Sequence, residues 1–468
     1  MNRPGPDSVF GPRLRGLTAG IFGVVFLVAF EAMAVATAMP VAVQDLDGLP
    51  LYGWAFSAFL VTSLFSTVAA GEYSDAHGPR FPLLGGISAF TVGLVVSGLA
   101  PTMPVFILGR ALQGFGAGGV IVALYVVVAR AYAEAQRPQV FALMSAGWVL
   151  PSLVGPTVAG ALADRASWRL VFLGVPLLVL PAVALVAPWL GRLEGGHGEA
   201  RRTGRKRAAL ATAAGVALLQ YAGTRLDLVS VLLVLVAAGL LVPTVPRLLP
   251  PGTFRLARGL PTTVAMRGFL AAAFFGAETF LPLALVNERG LSTTLAGLCL
   301  TGGALGWAAG SFLQGRPGLE RPRWQLVRAG ALCVALAVAG LATALVPSVP
   351  VLVAASGWVV GGFGMGLSMA SISLVTMQLS PDDDQGVNSA ALQVSDGLFS
   401  TVAIVVASTI FAAGHSAPGE DAAVFAAIFA VMACVALAGA AAAPRMRPPL
   451  GRHTERTPRG FAAAGESP

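Results

Sequence analysis

The feature that most constrains this chain is a succession of fourteen apolar runs, each 17 to 29 residues long, that takes up most of its length. They fall at about 17–40, 52–72, 81–100, 104–130, 139–163, 168–190, 208–224, 228–249, 262–286, 291–314, 325–346, 350–378, 386–412 and 421–443. A helix rising 1.5 Å per residue needs about 20 apolar residues to cross a ~30 Å hydrocarbon core. In that core, where water cannot partner the backbone, a helix satisfies its own amides and carbonyls. The chain therefore reads as an all-α membrane protein with 14 transmembrane helices. Only 11% of its residues are charged, against about a quarter in a soluble domain. The first run is too long for a cleaved signal segment and is interrupted by Glu31. The seventh and eighth runs are the least sharply drawn, because the seventh is short and the turn between them holds Arg225 and Asp227.

The net charge of +8 does not point to nucleic acid, because the basic residues lie in short loops between apolar runs and not on one soluble face. With the N-terminus inside, 25 of the 30 basic residues fall on the cytoplasmic side, Arg267 counted among them. Arg110, Arg165, Arg169, Arg225 and Arg289 fall outside or in the outer half of the membrane. This asymmetry puts both tails, 1–16 and 444–468, in the cytoplasm together with the basic loop 191–207. Lys206 is the one lysine among the 30, a bias that fits a GC-rich bacterial genome and hence a bacterial cytoplasmic membrane. Cys299, Cys333 and Cys434 lie inside apolar runs, where they read as small packing residues, and no metal or cofactor set is visible. The four histidines are scattered, which argues against a membrane-bound transferase with clustered acid and base groups.

An internal repeat divides the chain. Gly114-Phe115-Gly116-Ala117-Gly118 returns 248 residues later as Gly362-Phe363-Gly364-Met365-Gly366, and nearly the same offset carries Glu31 to Glu278. Two six-helix halves, 17–190 and 262–443, are expected to flank two inserted helices at 208–249. Parallel repeats of this kind point to a transporter with its site near the midplane, between the halves. Glu31, Glu278 and Asp396 are the acidic residues placed well inside apolar runs, where a carboxylate is costly by about 2.5–3.5 kcal/mol and is expected to face a cavity and act. Glu31 lies roughly 14 Å and Arg110 roughly 9 Å from the outer ends of their runs, at 1.5 Å per residue, so an arginine side chain can bridge them. Burial disfavours the charged carboxylate and a neighbouring guanidinium favours it, so Glu31 is placed to take up and release a proton. Asp396 is a second candidate for proton coupling, and Glu278 a candidate for holding a cationic substrate.

These residues resemble the major facilitator superfamily, and within it the fourteen-span drug:proton antiporter branch, over about residues 15–445. The segment Gly71-Glu72-Tyr73-Ser74-Asp75-Ala76-His77-Gly78-Pro79-Arg80 is similar to the family's G-x-x-x-D-x-x-G-x-R loop. The resemblance implies a conformational latch at Gly71, Asp75, Gly78 and Arg80, with proline at 79 where a basic residue is common. Arg110-Ala-Leu-Gln113-Gly114 resembles the R-x-x-Q-G motif linked to proton transfer. Gly155-Pro156-Thr-Val-Ala159-Gly160 resembles the antiporter motif G-P-x-x-G-G, with Ala159 for the first of the paired glycines. Glu31 through Pro40 resembles the branch's D-x-T-x-x-x-x-A-L-P segment, and Trp168-Arg169-x-x-Phe172 its W-R-x-x-F motif. The second half's copy of the latch would fall at 310–328.

The resemblance implies a monomeric, proton-coupled exporter of lipophilic or cationic compounds such as drugs, with Glu278, Gln113, Trp148 and Phe363 as candidate cavity residues. Export of lipids or metabolites, import by a transporter of the same superfamily, and a non-transporting sensor stay open at this point.

Overall fold

The structure, a computed structural model, describes residues 8–191, 204–225, 227–316, 322–381, 384–417 and 419–447. Most of the basic loop, from 192 to 203, and the tail from 448 onward lie outside the described residues, as do 317–321 of the second latch copy.

Fourteen long helices account for nearly all of the described residues, with no strand among them. They are α1 (Arg15–Asp45), α2 (Tyr52–His77), α3 (Arg80–Gly98), α4 (Met103–Ala131), α5 (Arg137–Arg165), α6 (Arg169–Leu190), α7 (Arg205–Arg225) and α8 (Leu228–Leu248). The rest are α9 (Leu260–Arg289), α10 (Thr293–Gln314), α11 (Arg323–Ala344), α12 (Leu352–Leu379), α13 (Gln385–Gly414) and α14 (Ala422–Ala442). Thirteen of them are long and apolar enough to cross a membrane, and α7 is the exception. The first helix runs past the proline that closes its apolar run: Pro40 sits inside α1, which continues to Asp45. A proline late in a long helix is tolerated where neighbouring helices re-satisfy the freed carbonyl.

Helix packing repeats with eight added to each number. In the first set α1 packs on α5 and α6, α4 on α2 and α3, and α3 on α6. In the second α9 packs on α13 and α14, α12 on α10 and α11, and α11 on α14. The glycine triplets explain how α4 and α12 reach both neighbours. A methyl at Gly114 or Gly118 would stand 2.0 or 2.4 Å from the Phe59 or Ser63 carbonyl of α2, and one at Gly116 would stand 2.4 Å from Gly86 O of α3. In the second set a methyl at Gly362 or Gly366 would meet Gly303 O or Trp307 O of α10 at 1.9 or 2.1 Å, and one at Gly364 would meet Gly330 O of α11 at 2.4 Å. Backbones this close are available only to the smallest residue, and between helices in lipid such packing replaces the missing hydrophobic drive.

Odd-numbered helices begin, and even-numbered ones end, at the end of the bundle that carries both termini. At the opposite, far end the two sets are tied together. Gln44 of α1 donates to the Asn287 side chain of α9 (3.1 Å), and the Tyr52 hydroxyl of α2 donates to Thr279 O (2.7 Å). Further in, α5 packs on α10 and α2 on α13, whereas no comparable packing joins α4 or α5 to α12 or α13. The far end is closed. The inserted helix α7 lies against α2 and α13, with α8 behind it.

Candidate functional site

Three helices of the first set, α1, α2 and α4, meet at Arg110. The α4 backbone points this side chain at α1 and α2, where its Nη1 donates to Glu31 Oε1 and to Gln113 Oε1. Its Nε donates to Ala55 O of α2 (2.9 Å), and its guanidinium lies over the Phe59 ring, 4.7 Å from the centroid. The ion pair is enclosed, with side-chain exposures of 4% for Arg110 and 0% for Glu31. Breaking such a pair strands a charge away from water, which makes it a rigid unit until one partner changes its charge. Glu31 Oε2 is buried and makes no hydrogen bond, so the carboxylate keeps one oxygen free to carry a proton.

Gln113, expected at the substrate cavity, is held between Arg110 and α3. It is fully buried, and its Nε2 donates to Gly93 O (3.1 Å) and Ser97 Oγ (2.9 Å) of α3. One helical turn beyond Arg110, the glutamine has its amide oxygen on the guanidinium and its amide nitrogen on the α3 backbone, so it ties Arg110 to α3.

The second set is built differently at the same place. Trp358 stands 248 residues after Arg110, fully buried, and stacks on Phe274 of α9 (centroids 4.4 Å apart). An aromatic pair thus replaces the ion pair. Glu278 has no cation beside it: it is partly exposed and makes no hydrogen bond or ion pair among the described residues. It shares a face of α9 with Phe275, whose ring lies 6.4 Å from that of Trp307. Phe363 is half-buried on α12, and Trp148 is 40% exposed on α5, two turns along from Phe141, whose ring meets Tyr125 of α4 at 5.7 Å.

Asp396 is not an isolated carboxylate. Its Oδ1 accepts from Nε of Arg267 in α9 (2.8 Å), at 26% and 18% side-chain exposure. Arg267, counted among the cytoplasmic loop charges, belongs seven residues inside α9. A basic residue so near the start of its helix satisfies a loop count equally well, and only the partner on α13 gives its position away.

The motif Gly155-Pro156-Thr157-Val158-Ala159-Gly160 lies on α5 where that helix meets α1 and α10. A methyl at Gly160 would stand 2.6 Å from Thr294 Cα of α10, and the Pro156 carbonyl is where a methyl at Gly297 would go (2.6 Å). One turn on, Asp164 caps the start of α10: its carboxylate accepts from the backbone amides of Thr293 (3.1 Å) and Thr294 (2.8 Å) and from the Thr294 hydroxyl. A carboxylate there satisfies orphan amides and meets the positive end of the helix dipole. It also joins the two sets of helices across the closed end. Asp164→Asn is expected to weaken that closure by about 1 kcal/mol. Labelling of Thr157→Cys by a membrane-impermeant maleimide from the far side should then rise severalfold, and unchanged labelling would remove Asp164 from the closure.

In the latch segment α2 ends at His77, Gly78 takes φ +89° in the turn, and α3 begins at exposed Arg80. The Asp75 side chain lies outside the described residues. Trp168 and Arg169 meet at Asp45, the residue past Pro40 that ends α1: both donate to its Oδ2 at 3.1 Å. Among the described residues no group of three or more metal-ligating side chains occurs.

The Major Facilitator Superfamily model matches residues 21–403. The chain belongs to the major facilitator superfamily. It is 30% identical over 390 residues to an uncharacterized MFS-type transporter of Mycobacterium tuberculosis, covering 79% of this chain and 55% of that protein, so it spans about half the length of that relative. It is 24% identical over 405 residues to the multidrug transporter protein MdtP of Bacillus subtilis, covering 84% of this chain and 74% of the relative. Among solved structures, a POT family transporter in complex with a thioalcohol-conjugated peptide superimposes with a TM-score of 0.71 at 14% identity, covering 95% of this chain and 99% of that one. The human organic anion transporter MFSD10 superimposes with a TM-score of 0.61 at 15% identity, covering 92% and 99%. At these identities the superpositions establish the fold alone. As a major facilitator with thirteen helices long and apolar enough to cross a membrane, the chain is a multi-pass membrane protein.

Proposed function

We propose that this major facilitator is a monomeric, proton-coupled exporter of lipophilic, cationic small molecules in a bacterial plasma membrane, with both termini in the cytoplasm. The observation that carries the reading is the enclosed Glu31–Arg110 pair with one carboxylate oxygen left free. A proton on Oε2 neutralises Glu31 and releases Arg110 to Gln113 and Ala55 O, so the α1–α4 contact changes its charge state and not its packing. Glu278, without a basic partner and beside Phe275 and Trp307, suits a cation that an aromatic face also attracts. Supporting the direction, the name of the Bacillus subtilis relative is that of a multidrug transporter. A relative from Penicillium rubens, 33% identical over 148 residues (32% of this chain, 28% of that protein), is named an efflux pump. The orientation rests on the basic residues, 24 of 30 of which still fall on the termini side once Arg267 is placed inside α9. The closed far end then faces outward.

The test uses purified full-length protein in proteoliposomes with an imposed pH gradient and ethidium as the probe cation. Wild type is expected to move ethidium against the proton flux and to release protons when ethidium is added. Glu31→Gln is expected to cut gradient-driven movement by at least about tenfold while the protein still inserts and elutes as a single species. Gradient-driven movement that survives in Glu31→Gln would remove this residue from coupling.

A further inference from the structure

Helix α7 covers a line where the two sets of helices meet. It packs on α2 of the first set and on α13 of the second, and these two pack on each other. At the far end the three come very close. A methyl at Gly53, in the first turn of α2, would stand 1.6 Å from Ser408 Oγ of α13 and 3.3 Å from Gln220 Nε2 of α7. A methyl at Gly223, in the last turn of α7, would stand 2.0 Å from Thr409 Oγ1 of α13. Gln220 therefore sits at the junction of the inserted helix with both halves.

The polar groups of this seam are unevenly served. Ser408 and Thr409 are satisfied by their own helix, donating to Ile404 O (2.6 Å) and Val405 O (2.9 Å). Gln220 is 1% exposed, and neither its Nε2 nor its Oε1 makes a hydrogen bond among the described residues. Ser57 of α2, one turn on from Gly53, is buried to the same degree, and its Oγ makes none either. A buried polar group without a partner carries its full desolvation cost. Side chains one turn apart on a helix lie about 5–6 Å from each other, so the amide beside Gly53 and the Ser57 hydroxyl are neighbours that do not meet.

Because α2 and α13 belong to opposite sets, opening of the far end turns one against the other beneath α7. We propose that Gln220 and Ser57 hydrogen-bond to each other when the far end opens and are parted when it is closed, so that the inserted helix biases the protein toward opening. The closed state strands both groups. The open state pairs them and gives the rest of the amide access to water, which is the differential contact a two-state equilibrium requires. Gln220 is thus a positioning residue for the conformational step, remote from the Glu31–Arg110 pair. The inference rests on the proposed transport only in that the far end must open. It is measured without a proton gradient or a cargo, so its failure and that of proton coupling are separate results.

The experiment is the distance distribution between spin labels at Asp47 and Ser292 in the full-length protein without its three native cysteines. Wild type is expected to show a short and a long distance. Gln220→Leu, which removes both polar atoms at similar volume, should raise the ratio of short to long about fivefold or more and raise the unfolding temperature. Gln220→Met, unbranched like glutamine, should do the same, which guards against a packing fault of leucine. Ser57→Ala should move the ratio in the same direction, and the effect of Gln220→Leu/Ser57→Ala should fall well short of the product of the single effects. A ratio unchanged in both apolar variants overturns the proposal even if they unfold at a higher temperature, because the amide is then unpaired in both states. So does a shift toward the long distance, fully multiplicative effects, or one distance throughout.

Discussion

Alanine at Arg110 is expected to destabilise the folded protein by about 3–5 kcal/mol, the cost of leaving a buried charge without its partner. Four groups lose their donor at once. Glu31 Oε1 and Gln113 Oε1 lose Nη1, Ala55 O loses Nε, and the Phe59 ring loses the guanidinium above it. No water replaces them, because both side chains of the ion pair are enclosed. Glu31→Gln strands the Arg110 cation in its turn, but it should cost less, since the amide oxygen still accepts from the guanidinium. In Arg110→Ala/Glu31→Gln the stranded charge is gone, and the double variant should be more stable than Arg110→Ala. Thermal unfolding in one detergent, followed for the wild type and the three variants, gives the coupling directly. Strictly additive losses would show that the pair is not the unit described here.

The second large effect is expected from Gly297→Val. A side chain at this position of α10 would begin 2.6 Å from the Pro156 carbonyl of α5 and 2.8 Å from Thr37 Cγ2 of α1. Both are obstacles on the opposite set of helices, so the overlap exists only while the far end is closed. Overpacking of this kind costs about 1–3 kcal/mol. Charged to one of two alternating states, that amounts to a shift of about 5- to 150-fold in their ratio. Transport should fall by a similar factor while stability in detergent changes little. Spin labels at Asp47 and Ser292, in a background without the three native cysteines, should move apart in the variant. An unchanged distance distribution with full transport would mean that α5 and α10 separate elsewhere.

Much of this molecule is legible in its sequence, for physical reasons that also set the limits. Apolar runs locate helices because a bilayer forces each run to satisfy its own backbone, and the runs fell close to the helices found. The same logic stopped the first helix too early: Pro40 ends an apolar run without ending α1, and Asp45, the anchor for Trp168 and Arg169, lies beyond it. Glu31 and Arg110 stood out because charge in an apolar run is conspicuous. Arg267 did not, since it lies near the start of α9, where a loop residue and a helix residue look alike. The partner of Gln113 was not legible, because a polar residue in a membrane helix suits a cavity or a second-helix partner equally well, and the α3 carbonyl at 3.1 Å lies 20 residues away in the chain. Asp164 carried no signal of its own, because the amides it caps are 129 residues away in the chain. The repeat was the most informative pattern, since glycines spaced to contact two neighbouring helices leave a trace at both copies.

Helix α7 has a history that its final position conceals. It is the long helix too polar to qualify as a membrane span by itself. Yet Thr212 and Gln220 are buried in it, Thr212 sharing a hydrogen bond with Thr244 of α8 (3.0 Å). Its other neighbours are α2, already made when α7 emerges from the ribosome, and α13, which begins 160 residues after α7 ends. At 5–20 residues per second α13 arrives roughly 8 to 30 seconds later. Through that interval α7 must be held by α2 and carried into the bilayer as a hairpin with α8, so the birth of the second half completes the burial of a helix belonging to neither.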